Sequence, residues 1–479
     1  MAGRIPRQSI AAFTAAALLA LLATGADQPL TPDERVVMNH ISADSLRGNL
    51  SFLASDLLEG RATPSLGLDL AAEYLAAQFR RAGLEPAGDN GYFQTAMVTV
   101  REPNREGFSM TITASGRTMT VAADEAYLIP SAPVRIDEAP LVIADGSQSL
   151  TAEAVNGKAV LVTTQRVRFP QGVRPALVLS LATTLPSGPQ VTNPDAQPQA
   201  VNTGVIARPG VADFVRAAAD ARITIHAAAA LDKAATVRNV AAILRGSDPQ
   251  LRDTYVVLSS HYDHLGMAAS GDDRIYNGAN DDGSGTSSVI EVANGLAALP
   301  VHPKRSVLFI LFFGEEHGLW GSRFYAAHPL VPPSQTIAQL NLEQVGRTDA
   351  SDGPQIKTAS ITGYDFSELP SILAHAAQAA GVKVYKNPQN SDAYFGRSDN
   401  QSLADLGIPA HTLCVAYDFP DYHKVTDSWE KIDYDNMATI DRAVALGMLK
   451  LASDAAPPKW NEQYEPARRY ADAARRLHP

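Results

Sequence analysis

The chain has 479 residues, of which 45% are hydrophobic and 19% charged, an ordinary globular composition that is too long for one compact core and implies two or three domains. The net charge of −11, with no basic cluster to offset it, argues against a nucleic-acid partner. Cys414 is the single cysteine, which rules out an internal disulfide; its apolar setting HTLCVAY (411–417) marks a small core residue rather than a nucleophile.

The chain opens with Arg4 and Arg7, an apolar run from Ile10 to Ala23, and small residues up to Ala26. This pattern reads as an export signal over 1–26, too short for the roughly 20 apolar residues of a membrane span. The protein is therefore expected to be secreted or periplasmic, to begin near Asp27 once processed, and to keep no stable span. In 50–94, Leu68, Ala72, Leu75 and Phe79 share a helical face that stops at Gly83. Between 96 and 235 the texture becomes β-rich. SMTITASGRTMTV (109–121) predicts a hairpin turning at Ser115 to Arg117, and APLVIADG (139–146) and GKAVLVTT (157–164) predict strands. PSGPQVTNPDAQPQA (186–200) reads as loop.

From about 236 to 455 strands and helices alternate. NVAAIL (239–244), YVVLSS (255–260), SVLFILFF (306–313), AQLNLEQV (338–345) and IPAHTLCVA (408–416) read as strands, while 286–300 and 367–381 read as helices. The continuous apolar run SVLFILFF suits a strand buried on both faces. The expected fold is α/β, a mixed, largely parallel sheet with helices on both faces, carrying an inserted β-rich domain at 96–235. Residues 27–95 supply the N-terminal part of the main domain, and 456–479 form a polar C-terminal extension.

Chemistry is concentrated where these strands end, the usual ligand-binding edge of an open α/β sheet. YVVLSS runs into HYDHLG (261–266), and YNGANDDGSG (276–285) sets Asp281 and Asp282 among glycines before a helix. SVLFILFF ends in GEEHG (314–318), where burying adjacent carboxylates without a counter-charge would be expensive. Glu343 follows the apolar AQLNL, and His423 sits on a later loop, FPDYHKVTD (419–427). Each match is modest alone. Together His261, Asp281, Glu316, Glu343 and His423 offer two imidazoles and three carboxylates, a donor set suited to two zinc ions. Glu315, beside Glu316, is placed to take a proton from attacking water and pass it to a leaving amine.

With these motifs the chain resembles the secreted co-catalytic two-zinc aminopeptidases, in the clan of bacterial leucyl aminopeptidase and glutamate carboxypeptidase, over roughly 45–95 and 237–455. The family pattern is an H-x-D, a G-A-x-D-x-x-S-G, an E-E, an N-x-D and a late histidine. The resemblance implies that His261 binds one zinc, that Asp281 bridges the pair, and that Glu316 and His423 hold the other. It implies Glu315 as general base, Asp263 as the carboxylate orienting His261, and Arg397 and Tyr422 as donors to the tetrahedral oxyanion. The family has aspartate where this chain has Glu343, which moves the carboxylate and bears on the choice between aminopeptidase and carboxypeptidase. The insert is loosely similar to a protease-associated domain.

The function implied is a zinc-dependent exopeptidase acting on peptides, with aminopeptidase ahead of carboxypeptidase and the oligomeric state open. A glutaminyl cyclase of the same fold would not need His261. A non-catalytic, receptor-like relative should have lost ligands or the base, and a serine hydrolase would need a G-x-S-x-G motif that is missing. His264, His302, His317 and His328 are read as surface or structural histidines, with contact to substrate the alternative for His264 and His317, which lie near the site.

Overall fold

A computed structural model describes residues 29–478 except 147–149, 165–166, 168, 170–171, 187, 194–201 and 455. The expected export signal lies outside the described residues. Helices α1 (Pro32–His40), α2 (Ala43–Leu53) and α3 (Leu66–Arg81) open the fold. Each begins on a hydroxyl side chain, Thr31, Ser42 or Ser65, that accepts a hydrogen bond from the first turn. Leu68, Ala72, Leu75 and Phe79 are all buried along α3, as their spacing predicts.

A ten-stranded sheet forms the centre. Its strands are β1 (Phe93–Glu102), β2 (Gln190–Thr192), β3 (Leu231–Leu244), β4 (Tyr255–His261), β5 (Ser306–Phe312), β6 (Thr336–Glu343), β7 (Thr358–Ile361), β8 (Lys383–Tyr385) and β9 (Ala410–Cys414), with Glu85–Pro86 paired to β3. The spatial order is β8-β7-β9-β6-β4-β5-β3-β1-β2. Strands β9, β6, β4 and β5 run parallel, and β3 and β1 join antiparallel at one side. Every residue of β4 and β5 is buried, because helices cover both faces. Among these are α4 (Gly285–Ala297), α5 (Leu369–Ala377) and α6 (Tyr434–Ser453). The C-terminal helix α7 (Arg468–Leu477) buries Tyr470 and Ala471 in a second cluster with Trp460 and Phe395.

A second, eight-stranded sheet takes all its strands from Ser109 to Ala227 and packs its own core around Ile112, Leu161, Leu179, Ile206 and Ile223. The hairpin over 109–121 forms between Ser109–Ala114 and Arg117–Val121. The expected boundaries at 95/96 and 235/236 fall inside β1 and β3, which pair continuously from Phe93↔Val240 to Glu102↔Leu231. One expectation is corrected. Residues 190–192, read as loop from their proline- and glycine-rich surroundings, form β2 and pair with Thr99, Val100 and Arg101. Strand pairing there overrides local composition; residues 194–200 of the same stretch lie outside the described residues. Among the described residues no helix is long and apolar enough to cross a membrane.

Candidate metal centre

The parallel strands deliver their ends to one place. His261 closes β4, Glu315 and Glu316 follow β5, Glu343 closes β6, and His423 lies on the loop after β9. The π-helical turn 279–284 brings Asp281 in front of α4. Its backbone is held by Asp427, whose carboxylate accepts from the N–H of Asn280 at 2.9 Å and of Asp281 at 3.1 Å. Asp282 turns the other way. It accepts from Ser260 Oγ at 2.6 Å and from the N–H groups of Gly285 and Gln344, so it fastens β4, α4 and the end of β6 together.

The donor atoms fall into two groups sharing Asp281. His261 Nε2 lies 3.4 Å from Asp281 Oδ1 and 3.9 Å from Glu343 Oε1. His423 Nε2 lies 3.1 Å from Asp281 Oδ2 and 3.4 Å from Glu316 Oε2. Ligand atoms about 2.0–2.2 Å from one tetrahedral ion are themselves about 3.3–3.6 Å apart. One separation on each side of Asp281, 3.4 Å, falls in that range, and the others, 3.9 Å and 3.1 Å, lie just outside it, with one carboxylate oxygen of Asp281 facing each group. A metal fits on a second ground. Asp281 Oδ2, Glu316 Oε1 and both ring nitrogens of His264 are buried and receive no well-directed hydrogen bond. Their close neighbours are other metal-ligating groups, His423 Nε2 at 3.1 Å from Asp281 Oδ2 and His264 Nδ1 at 2.7 Å from Glu316 Oε1, an arrangement that a shared cation would satisfy.

Electrostatics point the same way. Burial drives the carboxyl of Glu343 well above its ordinary range, and Asp282 and Asp281 add to the shift. Burial does the same to Glu315, reinforced by Glu343, Asp399 and Glu316 and opposed by His261. Burial alone would lower the pKa of His261, but its contacts with Asp263 and Asp281 hold it well above the usual imidazole value. So many carboxylates at one buried site repel one another, and a divalent cation relieves that repulsion.

The supporting contacts are specific. His261 Nδ1 lies 3.2 Å from the carbonyl oxygen of Asp263 and 3.5 Å from its carboxylate Oδ1. That same Oδ1 accepts from the N–H of Glu315 at 3.1 Å, so one side chain orients the imidazole and the turn carrying the two glutamates. Glu343 accepts a hydrogen bond from Ser398 Oγ, which accepts from Asn341 Nδ2 at 2.8 Å. Glu315 makes no ion pair among the described residues and remains outside both donor groups. Tyr422 stacks on His423 with ring centroids 4.0 Å apart, and burial raises its hydroxyl pKa, with Asp281 and Glu316 adding. A cleft of ≈ 360 Å³ lies beside it, lined by Ser351, Asp418, Phe419, Pro420, Tyr422 and Lys424. Arg397 is exposed, with its guanidinium 4.5 Å above the Tyr394 ring.

His264 departs from its surface-or-structural reading. It is 1% exposed, and its Nδ1 lies 2.7 Å from Glu316 Oε1. It also forms a possible metal-holding group with Asp281 and Glu316. Its place in the same short loop as His261 and Asp263, between the end of β4 and Gly266, was the signal for it. His317 and His328 are exposed and His302 is half-buried, bonded to the carbonyl of Arg245.

Residues 239–448 match peptidase family M28. A probable leucine aminopeptidase 2 of Aspergillus oryzae is 26% identical over 247 residues, 46% of this chain and 45% of the relative. A probable glutamate carboxypeptidase of Arabidopsis thaliana is 25% identical over 220 residues, 44% of this chain and 29% of the relative. The chain thus spans less than half the length of these curated relatives. Among solved structures, an aminopeptidase from Aneurinibacillus sp. strain AM-1 superimposes with a TM-score of 0.59 at 21% identity, covering 88% of this chain and 97% of that one. That likeness concerns the fold, the α/β sheet described above. The match to the peptidase family M28 model covers the strands and loops that deliver all five donor residues.

Proposed function

We propose that the protein is an exported, zinc-dependent aminopeptidase that uses two zinc ions per chain. The observation that carries this reading is the pair of donor groups sharing Asp281, with Glu315 beside them and bound to neither. His261 and Glu343 would hold one ion and His423 and Glu316 the other, with the Asp281 carboxylate facing both groups. Bound zinc supplies Lewis-acid polarisation of the scissile carbonyl and acidifies the attacking water.

The chain's own residues do the rest. Glu315, withdrawn from water next to other carboxylates, accepts the proton of the attacking water on its carboxylate and delivers it to the leaving amine. Tyr422 and Arg397 are the donors available on the substrate side for the developing oxyanion. The cleft beside Tyr422 receives the peptide, and Asp263 keeps His261 in the tautomer that leaves Nε2 free. Both aminopeptidases and a carboxypeptidase stand among the relatives, and aminopeptidase names are the more frequent.

The test is a panel of free-amine and N-blocked peptides, offered to the zinc-loaded protein before and after exhaustive chelation. Hydrolysis confined to free-amine substrates, lost on chelation and restored by zinc, is the expected result. Preference for N-blocked peptides with a free C-terminus makes the protein a carboxypeptidase. Full activity after verified metal removal contradicts the metal reading.

A further inference from the structure

The segment 56–63 lies outside the matched family segment, yet it reaches into the metal centre. Arg61 is 1% exposed. Its guanidinium donates only to main-chain carbonyls: Nε to Tyr262 at 2.7 Å, Nη1 to Asn277 at 2.7 Å and to Leu53, and Nη2 to Gly278 at 3.0 Å. Its own carbonyl accepts from the N–H of His264 at 3.2 Å. Two residues on, Thr63 Oγ1 donates to Asp263 Oδ2 at 3.2 Å.

These partners matter because of where they stand. Tyr262 lies between His261 and Asp263, and Gly278 lies three residues before Asp281. One planar fork therefore ties the loop carrying the first imidazole to the loop carrying the shared carboxylate. The backbone is shaped for this. Glu59, Gly60 and Arg61 all take positive φ, at 47°, 71° and 49°. A Cβ at Gly60 would sit 2.4 Å from the carbonyl oxygen of Gly266 and 2.6 Å from that of Tyr276. Left-handed conformations at two non-glycine residues persist only where surrounding contacts over-determine them. Burial pulls the guanidinium pKa down to about 10, with the charges of Asp263, Asp427, Asp282 and Asp281 opposing, so it remains a cation at neutral pH.

We propose that Arg61 is a positioning residue of the metal centre, a clasp that holds the His261–His264 and Asp281 loops at the separation two ions require. The proposal rests on the two-zinc reading above. Arginine suits the task because five donors in a rigid plane reach carbonyls on three segments at once, whereas a lysine ammonium is a point donor. Arg61→Lys keeps the positive charge and removes the fork, which separates geometry from electrostatics.

The experiment measures zinc affinity of the full chain against a chromophoric chelator, with near-ultraviolet circular dichroism and melting of the metal-free proteins as the control for folding. Wild type should bind two zinc ions. Folded Arg61→Lys should bind zinc about 10–100-fold more weakly, the usual cost of losing a group that orients metal ligands, and should regain most of its kcat at saturating zinc. Wild-type zinc affinity in Arg61→Lys, with only the metal-free melting temperature lowered, overturns the proposal. If Arg61→Lys does not fold, Arg61→Gln carries the test, since its shorter amide keeps a planar donor group but reaches fewer of the carbonyls that Arg61 joins. Several-fold weaker zinc binding supports the clasp, and unchanged affinity overturns it. Wild type that binds no zinc defeats the two-zinc reading and the clasp together, whereas failure of the clasp alone leaves wild-type stoichiometry at two.

Discussion

The two sheets of this molecule solve the same packing problem and differ in what they do with charge. The eight-stranded sheet buries aliphatic side chains such as Ile112, Leu179 and Ile223, and keeps its ion pairs at the surface, as in Arg208–Glu125 and His226–Asp137. The ten-stranded sheet buries a larger apolar core but also gathers His261, Asp281, Glu316 and Glu343 within a few ångströms beside the ends of its parallel strands. Among the described residues, the group of donors close enough together to hold a metal, His264, Asp281 and Glu316, lies on the loops and turn beside this sheet's strand ends. The second sheet also has parallel pairs, Leu141–Ala144 with Ala159–Val162 and Leu177–Leu181 with Asn202–Ile206 among them, so the contrast lies in the residues that follow the strands and not in parallel pairing alone.

The largest expected effect separates chemistry from metal binding on the first sheet. Glu315→Gln keeps size and polarity but cannot accept a proton. Its kcat should fall about a hundredfold to ten-thousandfold with zinc content unchanged, whereas Glu316→Gln should lose zinc. Near-normal turnover in Glu315→Gln would remove it as the base, and equal zinc loss in both would make it a ligand.

Next comes a core truncation on the second sheet. Ile223 is fully buried opposite Ile112. Ile223→Ala should destabilise by about 2–5 kcal/mol, read as a shift in the urea midpoint. Zinc per folded chain should stay at the wild-type value, and zinc loss in the folded variant would erase the division of labour between the sheets.

A smaller effect concerns His411 on β9, the one buried histidine here that stands clear of the donor groups. Its Nε2 lies 2.6 Å from Ser367 Oγ and its Nδ1 2.7 Å from the carbonyl of Thr362. Burial lowers its pKa to about 4. An unfolded histidine takes up its proton near 6.5 while this one stays neutral, so its contribution to stability is intact above pH 6.5. That contribution falls as the pH drops from 6.5 toward 4, and levels off below. Urea midpoints of wild type and His411→Gln at pH 7 and pH 4.5 should show the wild type losing more, by about 2 kcal/mol. Equal losses would place the acid sensitivity elsewhere.

The strands were legible wherever an apolar run met a polar exit. SVLFILFF followed by Glu315 and Glu316 declares both a buried strand and the cost of ending it on two carboxylates. YVVLSS running into His261 did the same. What the sequence hid was non-local. Arg61 sits some 200 residues from Tyr262 and shows only as an arginine after glycine, because its bonds are all to backbone carbonyls. Asp427 supports Asp281 across a similar break, through main-chain N–H groups whose direction no side-chain pattern records. Residues 190–192 looked like loop because their partners lie on a strand about ninety residues earlier.

The central claim is that two ions share Asp281, and zinc counted per chain tests it most directly. Wild type, Asp281→Ala and His423→Ala are purified in parallel, loaded with zinc, freed of excess metal and assayed by elemental analysis, with circular dichroism to confirm folding. The account predicts two zinc ions in wild type, close to one in His423→Ala, and little or none in Asp281→Ala. A folded Asp281→Ala protein that still holds two ions would contradict a shared carboxylate, and a wild type holding only one would contradict the pair.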